Sequence, residues 1–146
     1  MDAAVSIRPA EKADEPAVRE LIVSCGLPLD GLDGIESTVV AVEGERIVGT
    51  ASLEVYVDGA LLRSVAVDPA YRGRRIGHAV TEAAIAMAKS RGIMAVYLLT
   101  ETAERFFPRF GFIPVRRGNV PAGVRQSVEF RTVCPESARV MKLALN

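Results

Sequence analysis

The sequence is poor in residues that build several kinds of functional site. Its 146 residues include no tryptophan, one histidine, two cysteines and 5% aromatic residues. Cys25 and Cys134 stand far apart, without the spacing of a metal site or a redox pair, and their mixed apolar surroundings favour two buried thiols. We therefore expect neither a metal centre nor a disulfide framework.

Net charge and long apolar runs are also missing. The 18 basic and 18 acidic residues cancel, so no field of the whole molecule attracts nucleic acid. No run of about eighteen or more apolar residues is present, and the N-terminus lacks the apolar run of a signal peptide. We therefore expect no nucleic-acid or membrane partner, and the sequence predicts a cytoplasmic protein.

The residues that are present suit one domain over 1–146. Hydrophobic residues make up 49% of the chain. A chain of this length buries roughly 68–70% of its unfolded surface, which is enough for one core. No repeat, linker or low-complexity tract divides the sequence.

Hydrophobic periodicity predicts an α/β domain. Helices are expected over 12–24, 77–89, 102–112 and 121–130, and strands over 5–8, 38–42, 46–56, 95–100 and 139–145. A further strand follows the turn at Asp58-Gly59 and leads into the basic turn. Short turns join three consecutive strands into an antiparallel meander, whereas the strand at 95 follows a helix and is expected to be parallel to its neighbour. The fold class is therefore a mixed, mostly antiparallel central sheet flanked by helices.

Two segments leave alternatives open. The segment 26–34 is rich in glycine, proline and aspartate, with alternating leucines, and it is either a lid over a substrate or a short helix pinned to the core. The strand at 139–145 either lies inside the sheet of one chain or joins two copies. A homodimer is therefore one expected assembly.

Residues 62–78 are the most informative stretch of the chain. An apolar strand runs into a cationic turn that opens a helix. The first N–H groups of a helix lack intrahelical acceptors and carry partial positive charge, so this arrangement can hold a pyrophosphate. The residues that favour such an anion, by close backbone approach or by charge, are Gly73, Gly77, Arg72, Arg74 and Arg75. Taken alone, the pattern also fits a solvated surface connection.

The spacing within residues 72–77 resembles the acyl-CoA-binding signature of the GNAT N-acetyltransferase superfamily, Gln/Arg-x-x-Gly-x-Gly/Ala, preceded by a strand that ends in Val-x-Pro. Arg75 replaces the first glycine of that signature. We expect a helical φ at Arg75, which needs no glycine and leaves its N–H able to donate. Residues 102–112 resemble the superfamily's Tyr-x-x-x-Gly-Phe helix, but Phe107 stands where a tyrosine often reprotonates the CoA thiolate.

The resemblance implies a GNAT-like fold, acetyl-CoA as cofactor with CoA as product, and a splayed pair of parallel strands whose free backbone groups bind acyl-CoA. It also implies that the N–H of Val65 stabilises the oxyanion that forms when an amine attacks the thioester. His78 is expected to contact CoA or solvent. The cofactor-binding residues that the resemblance implies are Val65, Ala66, Val67, Arg72, Gly73, Arg74, Arg75, Ile76, Gly77, His78 and Phe106.

Acetyl transfer needs a neutral amine, so a base or a chain of waters must remove a proton before attack. The position where superfamily members often have a glutamate is Leu61 in this chain. Glu54 is the candidate replacement, because Ser52, Glu54 and Tyr56 alternate onto one face of their strand; the alternative is a solvated carboxylate. Tyr97 is a second catalytic candidate, which would orient water or substrate, and the alternative is a core aromatic side chain.

Arg63 indicates the chemistry of the acceptor. It lies within an apolar strand, where an unpaired guanidinium is costly to bury, so it needs an anion. That anion is either a protein carboxylate, such as Glu54 or Glu129, or a substrate carboxylate held by the guanidinium fork. The other candidates for substrate binding are Thr100, Arg131 and Ser137.

Part of the sequence resembles the short amino-acid N-acetyltransferases akin to the acetyltransferase domain of N-acetylglutamate synthase, including an arsenic-resistance-associated branch. The resemblance is carried by Leu98-Leu-Thr100, Phe107-x-x-x-Gly-Phe112 and the segment 134–138. It implies acetyl transfer to a small carboxylate-bearing amine, an amino acid or an analogue that is glutamate-like or related to arsenic resistance. Two alternatives stay open: an acyl-CoA sensor without turnover, and a protein N-acetyltransferase, against which Arg63 and Arg131 weigh.

Overall fold

The fold is built on one mixed sheet. The computed structural model describes residues 4–101, 103, 105–127, 130 and 138–145. Within these residues the sheet has the strand order β1-β2-β3-β4-β5-β7-β6. The strands are β1 Val5–Pro9, β2 Thr38–Glu43, β3 Arg46–Tyr56, β4 Gly59–Val67, β5 Ala95–Thr100, β6 Ile113–Val115 and β7 Arg139–Ala144.

Helices cover both faces of the sheet. The α-helices of the described residues are α1 Glu15–Ser24, α2 Ile76–Ser90 and α3 Ala122–Arg125, and the 3₁₀ helices are Lys12–Asp14, Pro69–Tyr71, Phe107–Phe110 and Arg117–Asn119. Along β2, Val39 and Ala41 join the core under α2, whereas Val40 and Val42 pack with α1. This alternation places α1 and α2 on opposite faces of the sheet.

The pairing of β4 with β5 positions the site. All other neighbouring strands are antiparallel, but β4 and β5 are parallel and are paired in the described residues at Ala60 with Val96 and at Leu61 with Tyr97 only. Beyond Leu61, β4 continues to Val67 with no partner on that side among the residues that the structure describes. The predicted mixed sheet with a splayed parallel pair is therefore confirmed.

Two predicted helices are shorter than expected. The predicted helix 12–24 starts as the 3₁₀ turn Lys12–Asp14, and α1 follows with Pro16 in its first turn, where a missing N–H costs no hydrogen bond. In the predicted helix 102–112, the described residues form only the 3₁₀ helix Phe107–Phe110. Gly111 ends that helix with a left-handed φ of +99°.

The late part of the chain differs most from the prediction. Four residues of the predicted helix 121–130 form α3. The strand β6 was not predicted, because its three residues include Pro114 and show no alternation; at the edge of a sheet the missing N–H of proline is tolerated. The predicted strand 139–145 is confirmed as β7, and it lies inside the sheet, between β5 and β6. No helix in the described ranges has the length and apolar character needed to span a membrane.

Candidate functional site

The turn from β4 into α2 is fixed by hydrogen bonds of its own. The Asp68 carboxylate accepts the Ala70 N–H at 2.9 Å and pairs with Arg46 at 2.7 Å. The Ala70 N–H, followed by the Arg46 guanidinium, holds the pKa of Asp68 below its ordinary value. Next along the turn, the Tyr71 hydroxyl donates to Glu43 at 2.7 Å. These contacts fix the shape of the turn.

A cavity of about 160 Å³ lies where this turn meets the N-terminus of α2. The residues that line it are Val67, Tyr71, Arg72, Gly73, Arg75, Ile76, Gly77, His78, Phe106 and Arg109. Eight of them were predicted from the sequence to bind the cofactor. Backbone N–H groups at a helix N-terminus together with nearby guanidinium groups make this cavity suitable for an anion.

Two arginines differ from the prediction. Arg74 does not line the cavity; its guanidinium lies 4.0 Å from Glu43 and 5.0 Å from the centre of the Tyr71 ring. Arg109 does line the cavity, although the sequence analysis missed it, and its guanidinium lies 5.6 Å from the centre of the Phe106 ring. The available signal was a basic residue among the phenylalanines of the 106–112 segment.

The backbone of Arg75 is left-handed, so the predicted helical φ is wrong. Arg75 precedes α2 with φ +60° and ψ +24°. Residues with a Cβ rarely adopt this conformation, at a cost of about 1–2 kcal/mol, whereas glycine adopts it readily. The reason for a glycine at this position of the signature is therefore conformational, and Arg75 keeps the same turn at a cost in strain.

His78 lines the cavity and has one unpartnered ring nitrogen. Its Nε2 lies 2.7 Å from a carboxylate oxygen of Glu82, and its ring packs on Phe110 with centres 4.8 Å apart. Nδ1 is buried and has no hydrogen-bond partner among the described residues. A buried polar atom without a partner is destabilising, so a ligand that bonds this nitrogen removes a cost already present in the free protein.

The free edge of β4 contains a β-bulge. Thr50 pairs with Ala66 and Ser52 with Arg63, so two residues of β4 oppose one residue of β3, and Ser64 within the bulge has φ +56°. Beyond the bulge, the Asp68 N–H donates to Val48 O on the β3 side.

Alternation along β4 then turns the backbone groups of Val65 and Val67 to the opposite side, where β5 has splayed away. The Cys25 thiol, at the end of α1, donates to Val67 O at 3.5 Å. The end of α1 therefore reaches the free edge of β4. Val65, Ala66 and Val67 lie where the sequence predicted cofactor contacts, and those contacts stay predictions.

A buried polar cluster on β3 and β4 contains the predicted base. The fully buried Arg63 guanidinium donates to one Glu54 oxygen at 2.6 Å, and the Tyr56 hydroxyl donates to the other. Burial, and then the bond to Glu54, raise the pKa of Tyr56, so its hydroxyl stays protonated. The Glu54 side chain is 11% exposed and is not the solvated carboxylate of the alternative reading. Arg63 is thus paired with a protein carboxylate, one of the two anions considered for it. A contact between Arg63 and a substrate carboxylate stays a prediction.

Glu54 also faces a second cavity, of about 380 Å³. This cavity lies between β3, residues 31–34 and residues 126–127. Glu54 pairs in register with Leu61, and directly opposed residues of neighbouring strands share a face. Its carboxylate therefore projects beside the position where the resemblance expected a glutamate.

The segment 26–34 packs on the core but forms no helix. Leu32 is buried with Ile35 in the core beside α1, and Arg19 donates to Leu32 O at 2.9 Å. The segment has turns but no helix. It is therefore pinned to the core, in an irregular conformation instead of the expected helix, and a role as a lid over a substrate stays a prediction.

The remaining predicted residues have structural surroundings of different kinds. Tyr97 is buried in the core with Leu61 and Val124, which matches its core alternative. Thr100 Oγ1 accepts the Ala103 N–H at 2.9 Å, so it closes the turn after β5. Arg131 and Ser137 lie outside the described residues. In the part of the chain that is described, no group of three His, Cys, Asp or Glu side chains could hold a metal ion.

A family model and a curated relative both match part of the chain. A family model described as an acetyltransferase (GNAT) domain matches residues 34–114, more than half of the chain. The amino-acid acetyltransferase of Mycobacterium tuberculosis is 38% identical over 80 residues, which are 54% of this chain and 45% of the relative. The chain thus spans less than half the length of this curated relative.

Two solved structures have the same fold. N-acetylglutamate synthase from Neisseria gonorrhoeae, complexed with coenzyme A and N-acetyl-glutamate, matches with a TM-score of 0.85 and 21% identity over 100% of this chain and 36% of its own. Rv2747 from Mycobacterium tuberculosis, in complex with CoA, matches with a TM-score of 0.80 and 26% identity over 97% of this chain and 99% of its own.

Proposed function

Because the chain belongs to the GNAT family of acetyltransferases, which use acetyl-CoA, we propose that it transfers an acetyl group to the amine of a small carboxylate-bearing acceptor, an amino acid or an amino-acid analogue. The observation that carries the proposal is the cationic cavity at the N-terminus of α2, next to the free edge of β4. The partial length of the match to the M. tuberculosis relative leaves the acceptor itself a proposal.

The residues present at this cavity fit CoA. Arg72, Arg75 and Arg109 supply charge for the pyrophosphate, and the buried Nδ1 of His78 offers a further polar contact. The free backbone groups of β4 suit an extended chain with amide groups, such as pantetheine. When bound, acetyl-CoA supplies the acetyl group as a thioester.

We assign Val65 the role of oxyanion donor. Its backbone groups face the free edge of β4, and its N–H would stabilise the negative charge that develops on the thioester oxygen during attack by the amine. One such donor contributes about 3 kcal/mol to a transition state. Since the backbone does this work, a conservative change of the Val65 side chain should have little effect on the rate.

Glu54 is the proposed proton acceptor. It lines the 380 Å³ cavity, and its carboxylate is kept in place by Arg63 and Tyr56. It would take the proton of the acceptor amine directly or through a water. Phe107 is buried against Phe112 and has no proton to return to the thiolate, so that proton must come from solvent or from the Glu54 side of the site.

The acceptor is proposed to carry a carboxylate. The printed name of the M. tuberculosis relative, amino-acid acetyltransferase, and the N-acetyl-glutamate bound to the N. gonorrhoeae enzyme support an amino acid. Thr100, Arg131 and Ser137 remain the proposed contacts, and glutamate-like and arsenic-resistance-related amino acids are the proposed acceptors. A homodimer also stays a proposal.

Calorimetric titration with acetyl-CoA, repeated with L-glutamate and a panel of other amino acids, tests the proposal. Binding of one acetyl-CoA per chain, with continued heat of turnover when one amino acid is present, is the expected result. Binding of acetyl-CoA without turnover of any amine would favour an acyl-CoA sensor. The apolar residues Leu61, at the usual base position, and Phe107, at the usual acid position, also favour a sensor. Turnover only with a peptide amine would favour a protein N-acetyltransferase, and absence of binding would refute the cofactor assignment.

A further inference from the structure

Arg63 is bonded to a segment that lies far from it in the sequence. Besides Glu54, its guanidinium donates to Asp30 O at 2.5 Å and to Pro28 O at 2.8 Å, and its Nε donates to Ser64 Oγ at 3.1 Å. At least four of the five N–H groups of the side chain are thus engaged by protein oxygens. A substrate carboxylate could take the guanidinium fork only by displacing one of them.

Two of the oxygens that Arg63 bonds, those of Pro28 and Asp30, belong to the irregular segment 26–37. Arginine side chains hold the backbone of this segment. Arg63 from β4 holds the carbonyls of residues 28 and 30, Arg19 from α1 holds that of Leu32, and Arg91 after α2 holds that of Glu36. The Arg63 side chain is fully buried, whereas the bonds of Arg91 are exposed. A charge-assisted hydrogen bond contributes more where water does not compete for it, so Arg63 is the stronger support.

The segment held by Arg63 is one wall of the cavity that faces Glu54. Residues 31–34, which follow the two bonded carbonyls directly, line this cavity on one side, and Glu54 lines it on the other. The Arg63 guanidinium bonds Glu54 on one side of the cavity and, on the other side, Asp30, which directly precedes the lining residues 31–34. Its Nε also donates to Ser64, which precedes the proposed oxyanion donor Val65.

We propose that Arg63 is a positioning residue for acetyl transfer. It sets the distance between residues 31–34 and Glu54, and so shapes the acceptor site, without touching the acceptor. This inference rests on the proposed function, because it takes the 380 Å³ cavity as the place of the acceptor.

Arg63→Lys is the test variant, and Arg91→Lys is its matched control. A lysine at position 63 keeps the positive charge beside Glu54, but an ammonium cannot reproduce the planar fork that reaches two carbonyls and a carboxylate at once. The control makes the same chemical change at the far end of the same segment. Arg63→Met, which removes every donor, extends the series; should it fail to fold, the lysine variant still carries the test.

Two measurements are made on each variant. Hydrogen exchange of the free protein should show amides of residues 27–33 exchanging about tenfold faster in Arg63→Lys, as expected for loss of a charge-assisted hydrogen bond, and unchanged in Arg91→Lys. For the acceptor that the panel identifies, kcat/KM should fall about 100-fold in Arg63→Lys, the effect of misplacing a site by roughly 1 Å, while Kd for acetyl-CoA is unchanged.

Three results would overturn the inference. Unchanged exchange of residues 27–33 in Arg63→Lys would show that Arg63 does not hold the segment. A loss of acceptor kcat/KM without faster exchange would show direct contact with the acceptor. Faster exchange with unchanged kinetics would show that the segment does not shape the site. Absence of turnover in the parent protein would refute only the proposed function, because the exchange measurement needs no turnover.

Discussion

The left-handed backbone of Arg75 leads to a quantitative prediction about stability. At φ +60°, a residue with a Cβ costs about 1–2 kcal/mol that glycine does not. Glycine in turn gives the unfolded chain more freedom, which costs about 0.4–1 kcal/mol relative to alanine. Arg75→Gly should therefore be more stable than Arg75→Ala by about 0.5–1 kcal/mol.

Arg74 provides the matched comparison, since it is not among the described residues with positive φ. There Arg74→Gly should be less stable than Arg74→Ala by about 0.4–1 kcal/mol, because only the unfolded-state effect remains. All four variants lose one arginine, so the loss of charge is similar at the two sites. The difference between the sites, about 1–2 kcal/mol, is the cost of the left-handed conformation itself.

Urea unfolding of the four variants without cofactor measures this difference. The midpoints are compared at a shared slope, which keeps the error of extrapolation out of the comparison. If glycine were less stable than alanine by the same margin at both positions, Arg75 would not be left-handed in solution. The account of why the signature has a glycine at this position would then be refuted.

Three further predictions concern the two cavities and the turn between β4 and α2. His78→Ala removes the unpartnered Nδ1 and should weaken acetyl-CoA binding about tenfold by calorimetry, whereas Glu82→Ala, which leaves Nδ1 in place, should weaken it less; equal losses would contradict the role of Nδ1. Tyr56→Phe removes the hydrogen bond that orients one Glu54 oxygen and should lower kcat/KM for the acceptor about tenfold, with Kd for acetyl-CoA unchanged; an unchanged kcat/KM would argue against Glu54 as the base. The lowered pKa of Asp68 stabilises the fold above a pH of about 4, and this stability is lost as the pH falls through the lower folded-state pKa. Asp68→Asn should therefore be less stable than the parent in urea unfolding at neutral pH, with the difference shrinking in acid; a constant difference would mean that the charge of Asp68 does not matter.

Local patterns in the sequence were sufficient to locate most of the sheet. The predicted bounds of the strands 46–56 and 95–100 agree with β3 and β5, and α2 extends the predicted helix 77–89 by one residue at each end. The positions of strands and amphipathic helices follow from which side chains are buried, and that pattern is written in neighbouring residues. The cavity at the N-terminus of α2 was found for the same reason, because its signature is contiguous.

The features that were missed depend on residues far apart in the sequence. The partners of Arg63 on the segment 26–34 are 33 and 35 positions away from it. Arg109 enters the cavity only because the chain after β5 folds back toward α2. The left-handed backbone at Arg75 decides that Arg75, and not Arg74, lines the cavity. Arginine rarely adopts this conformation, so the sequence gives no sign of it.

The parallel strands β4 and β5 are paired over a very short stretch. In the described part of the chain, two register pairs, at Ala60 and Leu61, join the first four strands to the last three. From Leu61 to Val67 the edge of β4 that faces β5 is unpaired over about 20 Å, while its other edge stays paired with β3. A rotation of β4 by about 3° relative to β5, about these pairs, would shift the far end of the unpaired edge by about 1 Å, a distance that matters for catalysis. Packing beside these pairs, around Tyr97 and Val124, is therefore expected to influence how far β4 and β5 diverge. Substitutions in that packing are therefore expected to change the proposed acetyl transfer without any change in the residues that line the two cavities.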